Sequence, residues 1–175
     1  DTPKLTKALK MAGIAILGAF LLLALSCSKV EKSKMATGAA LDTSSMIGQT
    51  GGGYFGDSAY AVVSYASIPE VYAAFRKEIF DKGVVKWDER FDCNHFAGYF
   101  VSLAQVRYYL DNWGSGTKAQ TLAMGVVWYR PAGGKGGHAV VEAVTDKGVV
   151  DIEPQTGQIF TMTETERQSV YLRVY

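Results

Sequence analysis

The chain has 175 residues, a formal net charge of +1 and a hydrophobic content of 48%, so we expect one folded domain with appended segments and exclude wholesale disorder. The near-zero net charge argues against nucleic acid as a partner, because phosphate binding needs a concentrated basic surface. Two cysteines are too few for a disulfide scaffold, and two histidines are too few for a histidine-rich metal centre. Any chemistry that depends on histidine must therefore use His95 or His138.

Residues 1–34 are predicted to be a signal or membrane-anchor segment. Three lysines precede the uncharged run 11–28 (MAGIAILGAFLLLALSCS), which is at the short limit for a spanning helix and also has the parts of a secretory signal. The sequence ALSC at 24–27 resembles the lipobox of bacterial lipoproteins, and this resemblance implies cleavage before Cys27 and lipidation of its sulfur. An uncleaved anchor and a buried core helix are the alternatives.

The lysines before the apolar run favour a cytoplasmic N-terminus, with the rest of the chain outside the cytoplasm. We therefore expect a membrane-anchored, extracytoplasmic lipoprotein, and a component of a phage particle is the alternative. Residues 35–59 are rich in glycine, serine and threonine and contain few large apolar side chains. Such a stretch buries too little surface to offset the entropy of its backbone, so it is predicted to be a flexible tether.

Residues 60–175 are predicted to form one α+β domain, with helices first and a mostly antiparallel sheet after them. Apolar periodicity and the positions of Pro69 and Gly83 predict a helix over 69–82. A second helix is predicted over 93–110, and its apolar residues cover so much of the circumference that we expect burial on several sides. Strands are predicted at 121–130, 138–145, 148–153, 158–163 and 169–175, and a tight turn at 146–148 makes a hairpin of the second and third.

Cys93 is the candidate nucleophile, because Asp92 is a good N-cap that places the cysteine in the first turn of the second helix. The positive end of the helix dipole stabilises a thiolate there, and thiolate is the reactive form. His95 lies about 200° around the same helix from Cys93, so His138, at the start of a strand, is the better candidate base. Glu153 is expected within about two residues of His138 across the hairpin, where it would orient the imidazole.

Each of these residues also has an ordinary structural interpretation. An isolated cysteine is most often an inert buried residue. His138 can be a structural histidine at a strand start, and Glu153 can belong to a turn before Pro154. Asp151 lies on the same strand face as Glu153 and is the alternative orienting acid, although a solvated strand residue is the expected reading. The three tryptophans are expected in the core or a cleft wall rather than on a stacking platform: Trp87, Trp113 and Trp128.

The order of these segments resembles the papain-like and transglutaminase-like cysteine enzymes. The run CNHFA at 93–97 is similar to the start of their active-site helix, HA at 138–139 to their His-Ala step, and EPQTG at 153–157 to their acid-Pro turn. Within that superfamily the chain resembles the protease domain of a mushroom agglutinin, a group with phage and bacterial members. The resemblance covers about 88–163. It implies a papain-like fold, with the active-site helix packed on a mostly antiparallel sheet.

The resemblance implies a cysteine peptidase or amidohydrolase with Cys93 as nucleophile, His138 as general base and acid, and Glu153 as the orienting group. A thioester intermediate would be hydrolysed, or transferred to an amine, on peptide or isopeptide bonds, including cell-wall peptides. Four residues are expected to bind the substrate: Trp87, Asn94, Gly137 and Gln155. The alternative is a catalytically silent papain-like binding or structural module tethered to a membrane or phage particle.

No cofactor is expected. Calcium is the alternative, since the same agglutinin group depends on it and oxygen atoms of Asp88, Asp92 and Asn94 lie close together in the sequence. Three oxygen ligands are fewer than calcium takes in proteins.

Overall fold

The computed structural model describes residues 33–84, 86–134 and 136–175. Within these residues the strands are β1 (Ala36–Asp42), β2 (Ala59–Val63), β3 (Thr121–Leu122), β4 (Met124–Tyr129), β5 (His138–Thr145), β6 (Gly148–Glu153), β7 (Gln158–Phe160) and β8 (Leu172–Val174). The helices are α1 (Thr43–Thr50), α2 (Ile68–Asp81), α3 (Cys93–Asp111) and α4 (Glu164–Gln168), with a 3₁₀ turn at Tyr65–Ser67.

One eight-stranded sheet organises the fold. Its central path runs β1-β2-β5-β4-β8, with β3 paired to β2, β6 paired to β5, and β7 paired to β6. Most pairs are antiparallel, but β2 runs parallel to β3 and to β5, which it meets at Val63 and Thr145. These parallel contacts join the part of the sheet before α2 to the part after α3.

The predicted order of helices first and sheet afterwards is wrong. Two strands and one helix precede α2, and they belong to the same sheet as the later strands. The α+β fold class with a papain-like helix-then-sheet order is therefore corrected to an arrangement built around this single sheet, with four helices among the described residues. Strand β1 (ATGAALD) carries mostly small side chains and therefore gives no strand signal of its own.

The segment 35–59, predicted to be a flexible tether, forms β1 and α1. Asp42 caps α1 by accepting a hydrogen bond from the N–H of Ser45 at 2.7 Å. Met35 and Met46 are fully buried and anchor this segment to the rest of the domain. Backbone pairing with β2 supplies the other attachment, so a stretch poor in large apolar residues is nonetheless ordered.

The two long helices lie within two residues of their predicted bounds, and both predictions are confirmed. The expected burial of α3 on several sides is wrong, because only one face is buried. That face consists of Phe96, Ala97, Phe100, Ala104 and Tyr108. It packs on β4 and β5, whereas Val106, Tyr109 and Leu110 are exposed. The helix is therefore amphipathic, with an apolar surface left facing solvent.

The predicted hairpin is confirmed as β5 and β6. Val141 pairs with Ile152 and Thr145 with Gly148, so position 138 lies opposite the residues just after β6. Gly148 has a φ of 101°, which the tight turn requires. The hairpin places the first residue of β5 beside the last residue of β6.

Two acidic residues are fully buried in this hairpin. Glu142 and Asp151 are paired in register and lie on the sheet face away from α3, because Val141, Ala143 and Ile152 take the other face. Arg167 from α4 contacts both carboxylates, with 2.8 Å to Asp151, and Arg173 from β8 lies 3.2 Å from Glu142. Burial raises the pKa of Asp151 to about 6. The arginines thus fasten α4 and β8 to the sheet.

Across the described part of the chain, no helix has the length and apolar character needed to cross a membrane. Residues 1–32, which carry the predicted signal or anchor and Cys27, lie outside the described residues.

Candidate functional site

Cys93 is the first residue of α3 and is partly buried as a free thiol. Asp92 caps the helix: its carboxylate accepts a hydrogen bond from the N–H of Asn94 at 3.1 Å. The same carboxylate lies 2.8 Å from Nδ1 of His95, whose ring stacks on Phe91. His95 therefore belongs to the cap, and the sequence suggestion that it does not serve Cys93 agrees with this placement.

His138 and Glu153 meet at one end of the hairpin. The Nε2 atom of His138 lies 2.6 Å from Oε2 of Glu153, and the two side chains are only 24% and 16% exposed. The second carboxylate oxygen accepts a hydrogen bond from the N–H of Gln155 at 3.0 Å. The ring of Tyr129 meets the imidazole edge-on, with 5.9 Å between centroids. Both members of the pair are thus held in place.

Cys93 lies at the same end of the sheet, although the structure does not join it directly to this pair. Trp128 donates a hydrogen bond from Nε1 to Oδ1 of Asn94 at 2.6 Å, and the next residue of β4, Tyr129, pairs with His138. Within residues 33–84, 86–134 and 136–175, the Cys93 thiol makes no hydrogen bond. Of the predicted contacts among sulfur, imidazole and carboxylate, the structure forms the one between His138 and Glu153. The Cys93 thiol is separate from that pair.

The other predicted site residues lie around this end. Gly137 packs against the Tyr171 hydroxyl, which leaves no room for a Cβ atom. The carbonyl of Gln155 accepts a hydrogen bond from the hydroxyl of Tyr72 at 3.4 Å. Trp87 precedes α3 and is 52% exposed, so it does not lie in the core, and its expected place in a cleft wall stays a prediction. Tyr72 and Tyr171, which are absent from the sequence predictions, lie beside Gln155 and Gly137 respectively.

Asp151 does not serve as an alternative partner for His138. Its carboxylate accepts a hydrogen bond from the N–H of Met162 at 2.9 Å and contacts Arg167, and the expectation that it is solvated is wrong. The suggested calcium ligands are engaged as well, since Asp88 pairs with Arg90 at 2.7 Å and Asp92 caps α3. The described residues contain no group of three or more His, Cys, Asp or Glu side chains suited to a metal ion.

A second feature at the other end of α3 was not predicted. Trp113 is 73% exposed, and its ring meets that of Tyr109 edge-on with 5.1 Å between centroids. The two rings flank an open cavity of about 400 Å³, which we call the aromatic groove. Its polar lining side chains include Asp57, Gln105, Asn112 and Gln120. Trp113 therefore lies in a cleft wall, one of its two expected places, and not in the core.

The amides of the aromatic groove are fixed by the backbone. Oε1 of Gln105 accepts a hydrogen bond from the N–H of Leu122 at 3.1 Å, and Oε1 of Gln120 accepts from the N–H of Ser58 at 3.1 Å. Because each oxygen is held, each Nε2 group is left as a donor, and neither has a partner among the described residues. The sequence signal for this groove is the i, i+4 spacing of Tyr109, in the last turn of α3, and Trp113, two residues after the helix ends.

Comparison with known proteins shows similarity in structure but not in sequence family. No family model matches the chain, and no curated protein matches it. Among solved structures, the PSL1a-E64 complex is 20% identical, with a TM-score of 0.60 over 78% of this chain and 51% of that one. The Polyporus squamosus lectin bound to the human-type influenza-binding epitope Neu5Aca2-6Galb1-4GlcNAc is 22% identical, with a TM-score of 0.52 over 70% of this chain and 42% of that one. The chain thus spans about half of these neighbours or less, and the likeness concerns the fold.

These neighbours correct the family assignment made from the sequence. The assignment to papain-like and transglutaminase-like cysteine enzymes rested on three short motifs. The matched structures are instead the PSL1a-E64 complex and a Polyporus squamosus lectin. The papain-like fold class and the cysteine peptidase or amidohydrolase function are corrected with it, as is the description of the chain as a thiol protease. A peptide substrate and a membrane partner gain no support from these neighbours.

Proposed function

We propose that this chain binds carbohydrate in the aromatic groove. The observation that carries the proposal is the pair of exposed rings, Trp113 and Tyr109, beside amide groups whose orientation the backbone fixes. The fold supports the proposal, because it resembles part of a lectin that was solved with a bound sialylated glycan.

The chemistry of the aromatic groove suits a sugar ring. One face of a pyranose carries C–H groups that pack against an aromatic ring, and its edge carries hydroxyl groups that need hydrogen-bond partners. Trp113 supplies a large exposed ring, the Nε2 groups of Gln105 and Gln120 supply donors, and the carboxylate of Asp57 supplies an acceptor. A cavity of about 400 Å³ lies within the size range of small-ligand sites.

Glycan-array binding followed by calorimetry tests the proposal. The wild-type chain should bind a subset of the immobilised glycans, and Trp113→Ala should weaken binding at least about tenfold, since loss of one stacking ring costs on the order of 1.4 kcal/mol. Phe80→Ala is the matched control, because Phe80 is an exposed aromatic residue on α2. Equal losses in the two variants, or no glycan bound by the wild-type chain, would overturn the proposal.

A second proposal concerns the residues predicted from the sequence. We propose that Cys93 is a reactive thiol whose reactivity depends on the His138–Glu153 pair. The 2.6 Å contact within that pair supports it, together with the position of Cys93 in the first turn of α3. No bond cleavage is assigned to this site.

Alkylation with iodoacetamide tests this second proposal, in a Cys27→Ser background so that one thiol remains. His138→Ala should slow the alkylation of Cys93 several-fold, whereas Lys147→Ala, an exposed change in the β5–β6 turn, should leave the rate unchanged. A His138→Ala variant that reacts at the wild-type rate would sink the idea.

The location of the chain is also a proposal. The lysines and apolar run of residues 1–34 support membrane attachment, with Cys27 as the lipidated residue of a bacterial lipoprotein. Mass spectrometry of the mature protein tests it. A chain that still carries the residues before Cys27 would contradict cleavage at this position.

A further inference from the structure

A second cavity opens beside the aromatic groove. Strand β1 loses its regular register with β2 between Ala36 and Ala40, and Gly38 there has a φ of 91°. This irregularity forms one wall of a cavity of about 460 Å³, which we call the β1 hollow. The β1 hollow and the aromatic groove share four lining residues: Tyr108, Asn112, Thr117 and Ala119. The two cavities are therefore neighbouring parts of one surface.

The charge of the β1 hollow differs from that of the aromatic groove. Lys34 and Lys118 line it, and its lining contains no acidic side chain. The nearby carboxylate of Asp111 is engaged, because it accepts a hydrogen bond from the N–H of Met35 at 3.0 Å. Neither lysine forms a salt bridge in the described ranges of the chain. The remaining lining side chains are uncharged, so the ammonium groups dominate the electrostatics of the cavity.

We infer that the aromatic groove and the β1 hollow together take an acidic carbohydrate, one that carries carboxylate groups. One sugar ring packs on Trp113, and a carboxylate of the next or the same residue lies near Lys34 and Lys118, where a charge-assisted hydrogen bond is available. This inference rests on the proposed carbohydrate binding and adds the chemical class of the ligand. Asp57 lines the aromatic groove but not the β1 hollow, and hydroxyl groups are the fitting partners for its carboxylate.

The experiment compares hyaluronan oligosaccharides with the same oligosaccharides after chemical reduction of their carboxyl groups to alcohols. The pair differs in charge and keeps its ring faces. The wild-type chain should bind the acidic form more tightly, and binding should weaken as sodium chloride is raised. Lys34→Gln and Lys118→Gln should each reduce binding of the acidic form about two- to fivefold, without changing binding of the reduced form. Lys147→Gln is the control for a lysine outside the cavities.

The outcomes separate this inference from the proposal beneath it. If both forms bind equally and the lysine variants change nothing, the inference is overturned while carbohydrate binding stands. If the oligosaccharides do not bind but neutral glycans bind through Trp113, the inference is likewise overturned. If no glycan of any charge binds, both proposals fail together. Thermal denaturation of each variant tests whether a loss of binding is caused by a loss of folding.

Discussion

The imidazole of His138 and the carboxylate of Glu153 are in contact at 2.6 Å although 15 residues separate them in the chain. The β5–β6 hairpin creates this contact, because its register brings the start of one strand beside the end of the other. The second carboxylate oxygen accepts the N–H of Gln155, so the turn after β6 also holds the acid in position. The pair is thus a structural clamp as well as part of the proposed thiol site.

Replacing Glu153 with Gln should destabilise the fold. The change removes the charge from a largely buried hydrogen bond, and such charge-assisted bonds contribute about 1.5–3 kcal/mol. Urea unfolding should report a loss of about 1–2 kcal/mol, since Gln retains part of the hydrogen bonding. Glu89→Gln, at an exposed position, should change the free energy of unfolding by less than about 0.5 kcal/mol. Equal stability of the two variants would contradict the clamp.

Asp151 should make the stability depend on pH in the opposite sense to a carboxylate whose pKa is lowered on folding. Its pKa is raised to about 6 in the folded chain by burial, against about 3.9 in an unfolded chain. Between these values the folded state binds more protons than the unfolded state, so the contribution of Asp151 to the free energy of unfolding decreases as pH rises from about 4 to about 6.

Urea unfolding of the wild type and Asp151→Asn across that pH window measures this effect. The stability of the wild type relative to the variant should fall by about 2–3 kcal/mol from pH 4 to pH 7, because a shift of one pKa unit corresponds to about 1.4 kcal/mol. A relative stability that stays flat or rises with pH would rule out the raised pKa.

Gly125→Ala should destabilise the sheet. A Cβ atom at this position in β4 would overlap the carbonyl oxygen of Val174 in β8 and would lie 2.7 Å from the ring of Tyr175. We expect a loss of about 2–3 kcal/mol from overpacking. Gly98→Ala is the matched control, because this helical glycine in α3 has open space around it and the change should stabilise the helix by about 0.5–1 kcal/mol. Thermal and urea denaturation would show whether the two changes differ in sign.

Arg167→Met should leave buried charge without its partner. The guanidinium contacts Glu142 and Asp151, both fully buried, and removing one member of a buried ion cluster costs about 3 kcal/mol or more. Arg130→Met, at an exposed position, should change the stability by less than about 0.5 kcal/mol. If circular dichroism melts of the two variants coincide, the cluster does not fasten α4 to the sheet.

Local pattern was enough to predict the long helices and the β5–β6 hairpin. The signals for these elements lie within the elements themselves: the apolar spacing in α2 and α3, and the tight turn ending at Gly148. Long-range pairing was not predictable in the same way. Strand β1 is rich in alanine and is defined by its partner β2, so its sequence resembles a linker.

The site was predicted in part. The position of the turn sets the register of the hairpin and so predicts that Glu153 lies near His138. The family assignment drew on short motifs around the same residues, and short motifs do not determine a fold. The exposure of Trp113 could not be predicted, because tryptophan is usually buried to a large extent and this residue follows the end of α3, where helical periodicity assigns it no face.

The parallel contact between β2 and β5 has a kinetic consequence. The backbone N–H of Tyr65, just after β2, bonds to the carboxylate of Asp146, 81 residues later in the chain. Native pairing of β2 with β5 requires closure of a long loop, and folds rich in such distant contacts refold slowly. During translation the antiparallel pair of β1 and β2 would emerge from the ribosome well before β5, leaving an unpaired strand edge for a chaperone to protect.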